Sequence, residues 1–220
     1  MQSLSRGLYP IVDIDALAAR GLSPLSFAEA VLSARPPLLQ LRNKSGSARD
    51  SLELLRALVP LCRRVGTLLF ANDRPDLALL AGADGVHLGQ SDLPIDAARR
   101  VAPALLVGLS THSLPELDAA LRERPSYVAF GPVFDTASKR NPERVVGLDA
   151  LSEAGERARA AGVPLVAIGG LDLSRAELVA RHAELGAVIA ALADDPNAIA
   201  ERAARFQAVF SAGALSGRAS

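Results

Sequence analysis

The feature that most constrains the fold of this chain is an eightfold alternation of short apolar runs and longer helical stretches. The runs are apolar throughout, which is typical of parallel strands buried on both faces. Each run is followed by a stretch rich in Ala, Leu, Arg and Glu, which predicts a helix. The predicted strands span residues 8–12, 38–42, 67–71, 85–88, 105–109, 127–130, 165–168 and 187–189. The predicted helices span residues 24–33, 48–65, 75–81, 95–101, 114–122, 148–161, 175–185 and 196–209.

The repeated strand-helix unit predicts an α/β fold with a parallel sheet and helices on its outside. Eight units in 220 residues favour a single closed (β/α)8 TIM barrel over the alternative of an open doubly wound sheet. We expect one domain, because no linker divides the chain and barrels of this length form one unit. The barrel is predicted over about residues 7–210, and the segment 211–220 is predicted to be a frayed tail.

Composition excludes several classes of partner. Lys and Arg together number 24, as do Asp and Glu, so no net charge attracts nucleic acid or an anionic membrane. Aromatic residues make up only 4% of the chain, and no stretch approaches the ~18 apolar residues of a membrane span. A single cysteine, Cys62, and an N-terminus without a secretory pattern suit a reducing cytosol. We therefore expect a cytoplasmic protein with small-molecule partners, and an apolar helix face would support a homodimer.

Three helix starts are signalled by capping residues. Ser113 and Ser174 are each followed three residues later by Glu, which predicts an N-cap with a capping box. Asp195 stands directly before a proline, which predicts a third N-cap.

The residues that follow the apolar runs are candidates for the site, because a barrel places its active site at the carboxyl ends of its strands. Gln40, Arg42 and Lys44 alternate at the end of the second run, so on an extended backbone their side chains point the same way. Two cations and an amide on one side suit a phosphate group. The alternative is a strand that has ended and leaves solvated charges.

Carboxylates follow the next two runs. Asn72 and Asp73 follow the third run, and Asp92 follows the fourth. Two carboxylates at neighbouring strand ends can share Mg²⁺, which typically takes one or two carboxylates together with substrate phosphate oxygens. The alternative is that these side chains cap the helices that follow.

The loops after the later runs carry hydroxyls, a lysine and glycines. Thr136, Ser138 and Lys139 lie in a long loop that either closes over a ligand or is an ordinary polar loop. Gly169 and Gly170 follow the seventh run. The loops after the last two strands of a barrel frequently form a phosphate site, and glycines allow the close approach that it needs. We therefore predict a phosphate site there.

The three histidines have different expected roles. His182 lies late in a helical stretch and is predicted to be structural, and His87 is predicted to be a hydrogen-bonded core residue. His112 follows Ser110 at the end of the fifth run and can reach the site.

Taken in order, seven segments of the chain resemble the thiamin phosphate synthase family. The match runs from about residue 8 to residue 209, and its specificity lies in the ordered set, because the single segments are weak. The segments are QLRNK, AND, DGVHLGQSDL, GLSTHS, FGPVFDTASK, VAIGGL and GAVIAAL.

The resemblance implies a Mg²⁺-dependent condensation of hydroxymethylpyrimidine pyrophosphate with hydroxyethylthiazole phosphate, which yields thiamin phosphate and pyrophosphate. Pyrophosphate would leave first, and the thiazole nitrogen would attack the resulting pyrimidine carbocation. The catalytic residues implied are Arg42, Lys44, Ser110 and Lys139. The arginine and the two lysines would, together with Mg²⁺, stabilise charge on the leaving group. By the same resemblance, the pyrimidine-pyrophosphate ligands are Gln40, Arg42, Lys44, Asn72, Ser110 and Lys139, the metal ligands are Asp73 and Asp92, and the thiazole-phosphate contacts are Thr136, Ser138, Gly170 and the backbone near Ile189 and Ala190.

The chain departs from the family pattern at two positions, and two other functions stay open. Ala190 stands where the family usually has Ser, which removes a hydroxyl contact, and Asn43 stands where an acid is common. One alternative is a thiazole tautomerase of the same superfamily with His112 as its acid/base. The residues that discriminate between the two are Asp73, Asp92 and Lys139. A tautomerase has no need of two cation-binding carboxylates, so they favour the synthase. The other alternative is a non-catalytic barrel that binds a thiamin-related phosphate.

Overall fold

Eight parallel strands close into a barrel in which each strand pairs with its neighbours in chain order. The computed structural model describes residues 4–136 and 144–213. The strands are β1 (Gly7–Asp13), β2 (Leu38–Arg42), β3 (Leu68–Asn72), β4 (Gly85–Leu88), β5 (Leu106–Thr111), β6 (Tyr127–Phe130), β7 (Leu165–Ile168) and β8 (Leu185–Val188). The barrel confirms the predicted fold and excludes the open doubly wound sheet.

Helices follow the strands and pack on the outside of the barrel. In the described ranges they are α1 (Ile14–Ala18), α2 (Pro24–Leu32), α3 (Ala48–Val65), α4 (Pro75–Ala81), α5 (Ile95–Val101), α6 (Leu114–Arg122), α7 (Gly147–Ala160), α8 (Leu173–Ala180), α9 (Ala190–Ala193) and α10 (Ile199–Ala212). The sequence does not predict α1 and α9, because five and four residues complete too few turns to show a helical period. None of the helices in these ranges combines the length and the hydrophobicity of a membrane span.

Two helices have a boundary that differs by more than two residues from the sequence prediction. The helix predicted over residues 175–185 ends at Ala180, and Leu185 already belongs to β8. The amide of Glu184 donates to the carbonyl of Leu165 at 3.1 Å, so sheet pairing overrides the helix-like composition of the segment between them. The last helix begins at Ile199, not at residue 196, and includes residues 211 and 212 of the predicted tail.

One of the three predicted caps is confirmed. Ser113 caps α6, because its hydroxyl accepts a hydrogen bond from the amide three residues later. The prediction that Ser174 caps α8 is wrong, because the carboxylate of Asp172 caps this helix and also accepts from the Ser174 hydroxyl at 2.6 Å. The prediction for Asp195 is wrong as well, since its carboxylate accepts from the backbone amide of Asn197 in the turn that precedes α10.

Side chains that point into the barrel form a core separate from the one beneath the helices. Tyr9, Leu38, Phe70, Tyr127 and Val166 are members of this inner core. Side chains alternate along each strand, so residues that continue the inward phase at the carboxyl ends reach the mouth of the barrel. The candidate site is therefore built on the inner core.

Candidate active site

The positive side of the site begins with two inward residues of β2. Gln40 is buried, and its amide donates to the hydroxyl of Tyr9 at 2.9 Å. Arg42 is held by the buried carboxylate of Asp13, with 2.5 Å between Nη1 and Oδ2. Asp13 on β1 and Arg42 on β2 are direct partners in the sheet register. Arg42 is therefore fixed by a buried partner and is not a solvated charge.

The two predicted metal ligands lie close to each other and to Lys44. The ammonium group of Lys44 forms an ion pair with Asp73, and the backbone of Asp73 has a positive φ of 63°. The carboxylate of Asp92 accepts a hydrogen bond from the amide of Gly89 at 2.7 Å. Partial burial raises the pKa of Asp92, and contact with Asp73 raises it further, whereas the Gly89 amide and Lys44 lower it. Two carboxyl groups thus meet at one point with a cation beside them.

The capping alternative for these acids is wrong. The N-cap of α4 is Arg74 and that of α5 is Pro94, and neither cap makes a side-chain hydrogen bond. Asp73 is instead paired with Lys44, and Asp92 accepts from the Gly89 amide and lies beside Asp73. This arrangement can hold a divalent cation, because a cation relieves both the repulsion between carboxylates and their desolvation. Within residues 4–136 and 144–213, no group of three or more Asp, Glu, His or Cys side chains lies close enough together to hold a metal ion.

Asn72 and Asn43 lie beside this pair but have different surroundings. Asn72 is the last residue of β3 and lines a cleft together with Lys44 and Asp73. Asn43 donates from its amide to the Ser51 hydroxyl at 3.1 Å and accepts from the amide of Gly46 at 3.0 Å. The residue that replaces the common acid therefore organises the loop between β2 and α3.

An apolar cavity lies on the opposite side of the mouth, between the ends of β5 and β8. Gly170 has a φ of 63°, and a Cβ there would lie 2.4 Å from the carbonyl oxygen of Asp135. Only glycine fits this turn without strain. The predicted residues that line this cavity are Ser110, Thr136, Gly170, Ile189 and Ala190, with His112 beside them. Ser138 and Lys139 lie outside the described residues.

The three histidines lie in different surroundings, and the contacts of His87 include a partner that the sequence does not predict. His112 lines the cavity, and its Nδ1 lies 2.6 Å from the carbonyl oxygen of Gly131. His182 follows α8, where burial and then the charges of Arg159 and Arg181 lower its pKa. His87 is buried and hydrogen-bonded as predicted, but one of its partners is the candidate ligand Ser110.

Three residues connected to the site are not singled out by the sequence. Asp13 directly follows the first apolar run and is the last residue of β1, in the same phase as Tyr9, so reading the residue after that run would have identified it. Tyr9 and Tyr127 carry no such signal, because an aromatic residue inside an apolar run is typical of a core. Their hydroxyls meet only because the barrel closes and brings β1 and β6 face to face.

Three comparisons with known proteins indicate the same family for this chain. A family model described as thiamine monophosphate synthase matches residues 8–192. The thiamine-phosphate synthase of Anaeromyxobacter dehalogenans is 45% identical over 94% of this chain and 89% of that protein. The thiamine-phosphate synthase of Chlorobium luteolum is 42% identical over 77% of this chain and 80% of that protein. Among solved structures, thiamine phosphate pyrophosphorylase from Pyrococcus furiosus has a TM-score of 0.85 at 29% identity and covers 97% of this chain and 99% of that one.

These likenesses extend over most of the chain and share its barrel. They confirm the resemblance carried by the seven ordered segments, and they favour the synthase over the tautomerase. The chain therefore belongs to the thiamine monophosphate synthase family of transferases.

Proposed function

We propose that this enzyme joins hydroxymethylpyrimidine pyrophosphate to hydroxyethylthiazole phosphate and releases pyrophosphate, forming thiamin phosphate. Family membership and the names of the relatives support the reaction. The observation that carries the proposal is the meeting of Lys44, Asp73 and Asp92 at the barrel mouth, with Arg42 close by on β2 and the apolar cavity opposite. Such a site suits one pyrophosphate and one phosphorylated ring. A homodimer stays a prediction.

The pyrophosphate group is proposed to bind on the side of β2 and β3. Arg42 is oriented by Asp13, so its remaining N–H groups are preorganised as donors for phosphate oxygens. Lys44 is paired with Asp73, and it would be available to bind the pyrophosphate if Asp73 held a metal ion. The proposed ligands of the pyrimidine substrate are Gln40, Arg42, Lys44, Asn72, Ser110 and Lys139.

Asp73 and Asp92 are proposed to hold Mg²⁺. Their carboxyl groups lie close together, and the pKa of Asp92 is raised first by burial and then by the neighbouring carboxyl group of Asp73. A bound Mg²⁺ would neutralise charge on the pyrophosphate oxygens. The residues therefore fit a hard divalent ion that is shared with the substrate.

The thiazole phosphate is proposed to bind in the cavity opposite. The positive φ of Gly170 lets the backbone turn closely past that site, and Ile189 and Ala190 line it after β8. Hydroxyl groups of Thr136 and Ser138 would add hydrogen bonds. Ala190 offers its backbone amide but no hydroxyl.

The bond changes need no nucleophile from the protein. The C–O bond of the pyrimidine methylene breaks, and its electron pair leaves with the pyrophosphate. The lone pair of the thiazole nitrogen then forms the C–N bond. Arg42, Lys44 and Lys139 are proposed to stabilise the charge that develops on the leaving group, and Ser110 to bind the pyrimidine substrate.

Product identification tests this proposal. Purified protein with both substrates and Mg²⁺ should form thiamin phosphate, detected by mass spectrometry, and omission of either substrate should abolish it. Conversion of a thiazole isomer by the protein alone, without condensation, would support the tautomerase instead. Binding of thiamin phosphate without turnover would support the non-catalytic barrel.

A further inference from the structure

A continuous row of hydrogen bonds crosses the inside of the barrel and joins Gln40 to Ser110. The Gln40 amide donates to the Tyr9 hydroxyl at 2.9 Å, and the hydroxyls of Tyr9 and Tyr127 are 2.7 Å apart. The Tyr127 hydroxyl lies 2.8 Å from Nδ1 of His87, and Nε2 of His87 lies 2.8 Å from the Ser110 hydroxyl. The two ends of the row are residues proposed above as ligands of the pyrimidine substrate.

The packing around this row of hydrogen bonds fixes the three rings that take part in it. Tyr9 and Tyr127 are fully buried, and their rings meet edge to face. The rings of Tyr127 and His87 stack at an interplanar angle of 11°. Gly108 lies between these two residues in the sheet, and a Cβ on it would be 2.4 Å from the Tyr127 hydroxyl oxygen. A glycine at this position therefore permits the contact between His87 and Tyr127.

The hydrogen bonds have a direction. Burial raises the pKa of both phenols, so each keeps its proton and can donate it. Either phenol could donate across the Tyr9–Tyr127 contact, but Tyr9 already accepts from Gln40, and we infer that its proton is directed to Tyr127 because a buried hydroxyl proton needs an acceptor. The proton of Tyr127 then points to Nδ1 of His87. A neutral imidazole that accepts at Nδ1 carries its proton on Nε2, which donates to the oxygen of Ser110.

We propose that His87, Tyr127 and Tyr9 are positioning residues of the synthase reaction. The row of hydrogen bonds holds His87 as the Nε2–H tautomer. The hydrogen bond that His87 donates then turns the Ser110 hydroxyl proton towards an acceptor atom of the pyrimidine substrate. The same row fixes the orientation of the Gln40 amide. This inference rests on the proposed function, because it takes Ser110 and Gln40 as substrate ligands.

A double-mutant cycle tests whether Tyr127 acts through Ser110. The readout is kcat/KM for the pyrimidine substrate, measured by pyrophosphate release at saturating thiazole phosphate. Tyr127→Phe should lower it about tenfold in the wild-type background, which is the loss expected for one hydrogen bond. In the Ser110→Ala background the same change should cost less than about twofold, because the step through which it acts is gone. KM for the thiazole phosphate should not change.

Thr67→Val is the matched control. The Thr67 hydroxyl is also buried and donates to the carbonyl of Pro36 at 2.6 Å, but it lies at the amino end of β3, far from the mouth. This variant should lose stability without a change in kcat/KM. If Tyr127→Phe does not fold, Tyr9→Phe interrupts the row one step earlier and enters the same cycle.

The tautomer of His87 gives a second and independent readout. Long-range ¹H–¹⁵N spectra of the free protein should show the proton on Nε2, and Tyr127→Phe should remove this preference. A proton on Nδ1 in the wild-type protein would overturn the inference. It would also be overturned if Tyr127→Phe lowered kcat/KM by the same factor in the wild-type and Ser110→Ala backgrounds. An unchanged kcat/KM in Ser110→Ala would remove the ligand role of Ser110 and the inference together. A wild-type protein that releases no pyrophosphate would contradict the proposed function alone, since the tautomer is read without substrate.

Discussion

At the scale of single residues, the site depends on buried partners that orient exposed charges. Asp13 holds Arg42 and also caps α1, because its second oxygen accepts from the amide of Ala16 at 2.9 Å. Gln40 and Arg42 are predictable from their alternation, but Asp13 enters only when the first strand is treated like the others. The ion pair itself could not be predicted, because it depends on the register between β1 and β2.

Asp13→Ala should weaken both stability and catalysis. The free energy of unfolding should fall by about 1–2 kcal/mol, because one helix cap and one buried ion-pair partner are lost. Because Arg42 would no longer be oriented, kcat/KM for the pyrimidine substrate should fall as well. Ser23→Ala, which removes only the cap of α2, should lose stability and keep kcat/KM. An Asp13→Ala enzyme with normal kcat/KM would show that Arg42 needs no such support.

Asp92→Asn should raise the stability of the fold and nearly abolish activity. The pKa of Asp92 is raised in the folded protein, so its ionised carboxylate destabilises the fold at neutral pH, and this cost disappears as the pH falls through the folded pKa. Without Mg²⁺ the variant should therefore melt at a higher temperature than the wild type at pH 7, and the difference should shrink towards about pH 4. Mg²⁺-dependent turnover should be nearly lost.

The exposed ion-paired residue Asp96 provides the control for that comparison. Asp96→Asn should change neither turnover nor the pH dependence of melting. A lower melting temperature for Asp92→Asn at pH 7 would contradict the electrostatic assignment.

At the scale of elements, the strands are the most predictable part of the chain. Their mainly apolar runs agree with the observed strands to within two residues at all eight positions, because burial on both faces selects mostly apolar side chains. The start of β8 lies two residues before the predicted start. Leu185 continues the apolar content of the preceding helix, and only pairing with β7 and β1 separates the two elements.

Gly170→Ala should weaken binding of the thiazole phosphate through the loop after β7. The change places a side chain at a φ of 63° and brings Cβ within 2.4 Å of the Asp135 carbonyl, so the loop must move. KM for the thiazole phosphate should rise severalfold, and the free energy of unfolding should fall by about 1 kcal/mol or more. Gly162→Ala is matched in backbone strain, with a φ of 68° and nothing within 4 Å. It should lose stability alone, and equal KM values for the two variants would contradict the loop's role.

Ala190→Ser should strengthen the same site from the loop after β8. Ala190 lines the cavity, so a hydroxyl there can add a hydrogen bond to the phosphate. KM for the thiazole phosphate should fall by severalfold, in line with one added hydrogen bond of about 1 kcal/mol. An unchanged KM would mean that the backbone amide already satisfies the phosphate.

At the scale of the whole molecule, barrel closure decides what the sequence can and cannot predict. The carboxyl ends of parallel strands meet at one mouth, so Lys44, Asp73 and Asp92 could be placed together from their positions after neighbouring strands. Contacts across the interior could not be predicted, because Tyr9 and Tyr127 are 118 residues apart and meet only in the closed barrel. The site is thus predictable in its outline, whereas its supporting network is not.

Pyrophosphate release from the two substrates, followed with and without Mg²⁺, decides whether this barrel is the synthase that we propose. Release should require hydroxymethylpyrimidine pyrophosphate, hydroxyethylthiazole phosphate and the metal ion together. Folded protein that releases no pyrophosphate with all three present, or that releases it equally well without Mg²⁺, would contradict the proposed role of Asp73 and Asp92.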